Sequence, residues 1–307
     1  MKMPDEPTRE KPDTNWIHYG VWEQVSNLLY SLPNYFETEL VIKGINATEV
    51  FLVGSTFSSV VETQVVNILN SLRSIWDPDH RYAGYTFIRQ TQTFPDVLLK
   101  HFQSGDVIFG IELKSWYVLS KEGEPSFRYQ ITPAACAPAD LLVVTPWILS
   151  DVISGKPKLL QPYVELARYA AEYRNHYWQK SRFMQGKNYT IRKPPMNNCH
   201  PYPSSKQEAL DKAEDDKGNN FGRIARAGIL DEYINSLKEQ DYLGVKIKYW
   251  IALFRAIMET REDVEIERRI SLLRNNIRST VNLSRSDAFI EILDRLENLW
   301  QMIRGLK

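Results

Sequence analysis

The sequence is poor in cysteine, lacks any long apolar run and carries no excess charge of either sign. Only Cys136 and Cys199 occur in 307 residues. Two thiols without CxxC spacing support neither a disulfide framework nor a zinc site, so both read as plain cysteines. No run of about 18 apolar residues exists, which argues against a membrane-spanning helix. The polar N-terminus MKMPDEPTREKPDTNW lacks the pattern of a signal peptide, and the expected location is the cytoplasm. Zero formal net charge gives no global signature of a polyanion binder. No internal repeat is visible.

What is present suffices for a large globular fold: 43% of the residues are hydrophobic. The charge is unevenly spread. Residues 151–227 hold 14 basic and 8 acidic side chains, whereas residues 1–50 hold 4 and 8. A local basic surface can attract a polyanion while the molecule as a whole stays neutral.

Along the chain, residues 1–14 read as a disordered tail, followed by a helix over 21–30. Residues 39–53 have β-type composition broken by a Gly-Ile-Asn-Ala turn. Val61, Val65, Ile68, Leu69 and Leu72 then share one helical face, opened by a Ser59-x-x-Glu62 capping-box pattern. Four apolar runs, 85–89, 96–100, 107–119 and 140–145, read as strands. A helix is expected over 162–178 and a long polar, proline-bearing segment over 180–220. Helices are expected at 221–237, 245–259, 266–277 and 286–303. The predicted class is α/β: a mixed sheet flanked by helices in residues 15–180, and a polar loop with a mostly helical part in 181–307.

The stretch FPDVLLKHFQSGDVIFGIELKSWY, residues 94–117, carries charges where core side chains are expected. If its two apolar runs pair as a hairpin through Gln103-Ser104-Gly105-Asp106, strand alternation puts Glu112, Lys114 and Trp116 on one face. Asp96, at the head of the partner strand, can lean toward Glu112. Two carboxylates supply hard oxygen ligands for Mg²⁺, which keeps waters and accepts phosphate oxygens in its other positions. Asp106 reads as a turn residue.

Pro95-Asp96, fifteen intervening residues and Glu112-Leu113-Lys114 resemble the PD-(D/E)xK signature of restriction-endonuclease-like nucleases, over roughly residues 57–146. The resemblance implies a small mixed sheet between helices. It makes Asp96 and Glu112 metal ligands and Lys114 the residue that orients the attacking water. It also implies a glutamate on the preceding helix near the metal, for which Glu62 is the candidate, with helix capping as its alternative role.

The nearest expectation within that family is an orthodox type II restriction endonuclease: a Mg²⁺-dependent, sequence-specific enzyme that cuts double-stranded DNA as a homodimer, since a palindrome offers two equivalent strands. No GxxxxGK[ST] loop or glycine-rich cofactor motif suggests a fused translocase or methyltransferase. DNA contacts are expected from the basic block, in particular Arg182, Lys187, Arg192, Lys193, Lys217, Asn219, Asn220, Arg223 and Arg226; lysine and arginine bind phosphates, and arginine and asparagine can read base edges. The Cys199-His200 pair has no matching second pair. Two alternatives remain open: a DNA-binding protein that keeps the fold without activity, and a repair or junction-resolving nuclease of the same fold.

Overall fold

The computed structural model describes residues 5–42, 53–120, 122–152, 154–195, 197, 199–216 and 220–259, with scattered positions beyond 259. Two helices open it, α1 (Tyr19–Leu29) and the short α2 (Leu32–Tyr35), followed by α3 (Val53–Ser71) and α4 (Arg73–Trp76). The buried side of α3 is the stripe Val61, Val65, Ile68 and Leu69, the 3–4 spacing that turns one helical face inward. The helix already runs through Ser59, so Ser59-x-x-Glu62 is not a cap: the pattern lies inside α3, which begins at Val53.

Six strands form one curled mixed sheet: β1 (Tyr85–Arg89), β2 (Val97–His101), β3 (Val107–Tyr117), β4 (Leu141–Leu149), β5 (Pro157–Leu159) and β6 (Tyr163–Leu166). β1, β2 and β3 are antiparallel neighbours, and β4 joins β3 in parallel. All nine residues of β4 are buried, as expected of a central strand covered on both faces. Its outer edge pairs with β6 over Leu141–Val144 and with β5 over Trp147–Leu149. Pro146, which has no N–H to give, falls where the outer partner changes.

The hairpin of β2 and β3 has the expected pairing, with Val97 opposite Ile111 and Leu98 opposite Gly110. Gly110 is fixed by close approach: a Cβ there would lie 2.1 Å from Pro95 Cγ and 3.1 Å from Leu98 Cδ2. The Pro95 ring therefore rests on bare β3 backbone, which sets where Asp96 stands.

Helix α5 (Ala167–Met184) follows β6 directly. The helix expected from residue 162 begins later, because Tyr163–Leu166 pair with β4 as a strand and Ala167 N donates to Asp140 O. A two-stranded ribbon, β7 (Ile191–Arg192) with β8 (Lys212–Ala213), lies in the polar segment. The helix expected over 221–237 is instead a short 3₁₀ turn at Ile224–Ala227 and α6 (Asp231–Lys238). A second ribbon, β9 (Asp241–Tyr242) with β10 (Val245–Lys246), leads into α7 (Ile247–Glu259), whose Trp250, Ile251 and Phe254 are buried.

The polar segment beyond residue 180 is tied to the part of the chain that carries the sheet. Ile131 bridges to Leu210, Thr132 N donates to Ala209 O, and Tyr129 N donates to Gly222 O. The N-terminal stretch also differs from a free tail: among the described residues it has no helix or strand before Tyr19, yet Arg9 pairs with Glu165 and lies over the Tyr169 ring. Among the described residues no helix is long and apolar enough to cross a membrane. Of the helices expected at 266–277 and 286–303 only scattered positions are described, and most of the β-type segment 39–53 lies outside the described residues.

Candidate metal and nucleic-acid site

The strand alternation that buries Ile111 and Leu113 also commits Glu112 to a fully buried position in the middle of β3. Asp96, immediately before β2, reaches across: its Oδ2 accepts a hydrogen bond from Leu113 N at 2.9 Å. Lys114 Nζ donates to Glu112 Oε1. The hairpin thus brings Asp96, Glu112 and Lys114 together, as the spacing predicts.

A second lysine completes the cluster. Lys206 Nζ stands 2.6 Å from Glu112 Oε1 and 3.3 Å from Asp96 Oδ1. Its segment is held on the sheet at several points. Lys206 N donates to Gln92 O, and Asp211 N donates to Gln130 O. Tyr202 OH donates to Asp140 Oδ1 at 3.0 Å, and the same buried carboxylate accepts Gly110 N and Ala137 N at 2.7 Å each. Asp140 therefore locks together β3, the start of β4 and the segment that delivers Lys206. Lysine and arginine in that segment were expected as phosphate contacts; this one faces the two acids instead.

Two carboxylates and two ammonium groups make a neutral cluster, which is how buried charge is tolerated. Burial pushes Asp96 up to about 6, with the nearby Glu112 charge adding to the rise and Lys114 and Lys206 opposing it. For Glu112, burial also raises the value, but the Lys114 and Lys206 ammonium groups outweigh it and hold the carboxyl below its ordinary range. Lys206 goes the other way: burial lowers it, and its contacts with Glu112 and Asp96 outweigh that and hold it charged.

The donor set fits a hard divalent cation. Asp96, at the foot of β2, and Glu112, in β3, present carboxylate oxygens to one place, and Glu112 Oε2 is buried with no hydrogen-bond partner, which is costly for an acceptor unless something electropositive serves it. Two protein oxygens with waters and phosphate oxygens in the other positions are a common arrangement for Mg²⁺. Among the described residues, no group of three or more His, Cys, Asp or Glu side chains is positioned to hold a metal. Glu62 accordingly lies apart from the pair. Its Oε2 accepts Arg89 Nε at 3.0 Å and an Arg89 terminal nitrogen at 2.7 Å. Arg89 pairs with Val97 across β1 and β2, so Glu62 reaches only the neighbourhood of Asp96.

The residues expected to contact DNA separate into three groups. Arg182, Lys187, Asn220, Arg223 and Arg226 line one cavity between the second half of α5 and residues 215–216 and 220–227. Arg192 and Lys193 are exposed at β7 and do not line it; Arg192 pairs loosely with Glu214 at 3.5 Å. Lys217 and Asn219 lie outside the described residues. Cys199 Sγ donates to Pro194 O, and Cys136 is buried. Comparison of the chain with protein-family models, with curated proteins and with solved structures finds no match.

Proposed function

We propose that this protein is a Mg²⁺-dependent deoxyribonuclease with a restriction-endonuclease-like core, cutting double-stranded DNA in the manner of a type II restriction enzyme and acting as a homodimer. One observation carries the reading: Asp96, immediately before β2, and Glu112, in the neighbouring β3, converge closely enough for one ammonium, that of Lys206, to touch both.

In this reading Asp96 and Glu112 hold the cation. A bound Mg²⁺ would supply charge for the phosphate oxygens and ease deprotonation of water. Lys114, held by Glu112 in the same strand, would orient the attacking water and stabilise charge on the phosphate with its ammonium donors. Lys206 keeps the acids neutralised until cation and DNA arrive, and then can turn to a phosphate. The basic cavity flanking α5 would contact the DNA backbone.

The Lys206 bridge also favours a second reading, a DNA-binding protein of this fold without activity, because an acid pair satisfied by lysine needs no metal. Titration with Mg²⁺ or Mn²⁺ and a cleavage assay on a long mixed-sequence duplex separate the two. Cation binding with discrete cleavage products supports the nuclease; DNA binding with neither supports the inactive module. A smear, or nicking only at branched DNA, supports a repair or junction-resolving enzyme.

A further inference from the structure

We infer that the cavity between α5 and residues 215–216 and 220–227 binds a single nucleotide unit, base and phosphate together. The cavity encloses about 520 Å³, within the range of about 300–1,000 Å³ of small-molecule sites. Size alone does not select it, since a second cavity of the same volume lies beside Arg9, Glu165 and Glu232. Charge and unmet hydrogen bonding do.

One wall is a single face of α5: Arg174, Trp178, Ser181, Arg182 and Gln185 recur at three- and four-residue intervals. The facing wall is the turn around Gly222, whose φ of +88° and close approach to Gln130 require glycine. Five basic and two acidic side chains line the space. Several of these charges are already engaged. Arg174 is paired with buried Asp211 at 2.7 Å, Arg182 with Asp215 at 3.4 Å, and the Asp216 carboxylate accepts Asn220 N and Phe221 N. Arg223 is different. Among the described residues its side chain has no acidic partner, and its Nε is buried without an acceptor.

Trp178, which lines the same cavity, carries the second buried donor without an acceptor, its Nε1. An indole N–H and a guanidinium N–H can only donate, so an occupant that satisfies both must bring acceptors. The positive balance asks for an anion. One ring asks for a flat, partly apolar body: Tyr177 is 41% exposed at the cavity, whereas Phe221 and Trp178 meet edge to face and lie under the Arg174 and Arg182 guanidinium groups at 4.9 and 4.4 Å. Inorganic phosphate would meet the arginine and leave the Tyr177 ring unused. A nucleoside phosphate meets all three demands, with phosphate oxygens for Arg223, a base carbonyl or ring nitrogen for Trp178, and a base face for Tyr177. Two sources offer that chemistry, a free mononucleotide and a nucleotide extruded from a DNA strand; the second rests on the deoxyribonuclease reading.

The test has two arms on the full-length protein. Calorimetric titration with each of the four deoxynucleoside monophosphates, against inorganic phosphate, reads the free source. Duplexes carrying 2-aminopurine at successive positions, bound in Ca²⁺, read extrusion as a rise in fluorescence. In at least one arm a signal is expected that falls by about tenfold or more in Arg223→Gln, the loss for one charge-assisted hydrogen bond, and falls in Trp178→Phe, which keeps a ring and removes the donor. Unchanged circular dichroism and thermal unfolding show that the variants are folded. Absence of both signals with folded wild-type protein overturns the inference, whether or not DNA is cut. Phosphate binding as tightly as the nucleotides overturns it too, leaving an anion site only. Mononucleotide binding by a protein that cuts no DNA upholds the cavity and rejects the nuclease reading.

Discussion

Lys206 Nζ lies 2.6 Å from Glu112 Oε1 and 3.3 Å from Asp96 Oδ1, so one ammonium bridges the two acids. A divalent cation held by the same oxygens would have to share them with this charge or displace it. In the proposed nuclease the bridge would therefore oppose cation binding in the free protein and would relax when a phosphate offers Lys206 another partner.

Replacing Lys206 by methionine is expected to tighten Mn²⁺ or Mg²⁺ binding in the absence of DNA by about tenfold or more, since one nearby like charge is removed. Calorimetry or Mn²⁺ electron paramagnetic resonance measures it. The metal-free variant is expected to lose about 1–3 kcal/mol of stability. That is below the cost of about 3–5 kcal/mol for breaking a fully buried pair, because Lys206 is 29% exposed and Lys114 still pairs with Glu112.

The Asp96 carboxyl, raised to about 6 by burial and the Glu112 charge, sets a pH dependence. Cation binding must displace its proton below that value, so metal affinity and cleavage are expected to fall as pH drops from 7 to 5. Stability of the metal-free protein moves the other way. A carboxyl whose folded value is raised contributes stability that is fully present below its unfolded value near 4 and lost as pH rises through about 6. Asp140, raised to about 6 by burial against its hydrogen bonds to Gly110, Ala137 and Tyr202, contributes in the same window. Chemical denaturation between pH 4 and 7, with Asp96→Asn as control, is expected to show a shallower slope in the variant.

Gly110→Ala tests the support beneath the acids. A methyl group 2.1 Å from Pro95 Cγ cannot be accommodated without shifting that ring or β3. The cost is expected to be about 1–3 kcal/mol, typical of overpacking. Because Asp96 follows Pro95 directly, cation affinity is expected to weaken as well, whereas a purely peripheral loss of stability would leave affinity unchanged once the protein is folded.

How far the sequence discloses this arrangement depends on the distance over which each feature is determined. Asp96, Glu112 and Lys114 are legible because a hairpin is local and strand alternation is strict: once 94–117 pairs with itself, the three meet. Lys206 is 110 residues from Asp96 and arrives through a polar segment without periodicity, so only tertiary contacts such as Tyr202 with Asp140 place it. The start of α5 is obscured for a related reason. Tyr163–Leu166 could continue the helix that follows, and pairing with β4 makes them a strand. Glu62 reads as a cap from its local pattern, but α3 begins at Val53, and its carboxylate is engaged by Arg89 from β1. The shared cavity of Arg182, Lys187 and Arg223 is likewise a product of folding, although the basic block itself stands out in the sequence.

The most direct measurement of the central claim is Mg²⁺-dependent cleavage of a long mixed-sequence DNA duplex by the wild-type protein and by Asp96→Ala, Glu112→Ala and Lys114→Ala, with DNA binding followed in parallel. Discrete products are expected from the wild type, with cleavage reduced by more than about 100-fold in each variant, as when a group that stabilises the transition state is removed, while DNA binding stays measurable. Full cleavage by any one of the three variants, or DNA binding by the wild type without cleavage at any divalent-metal concentration, would contradict the account.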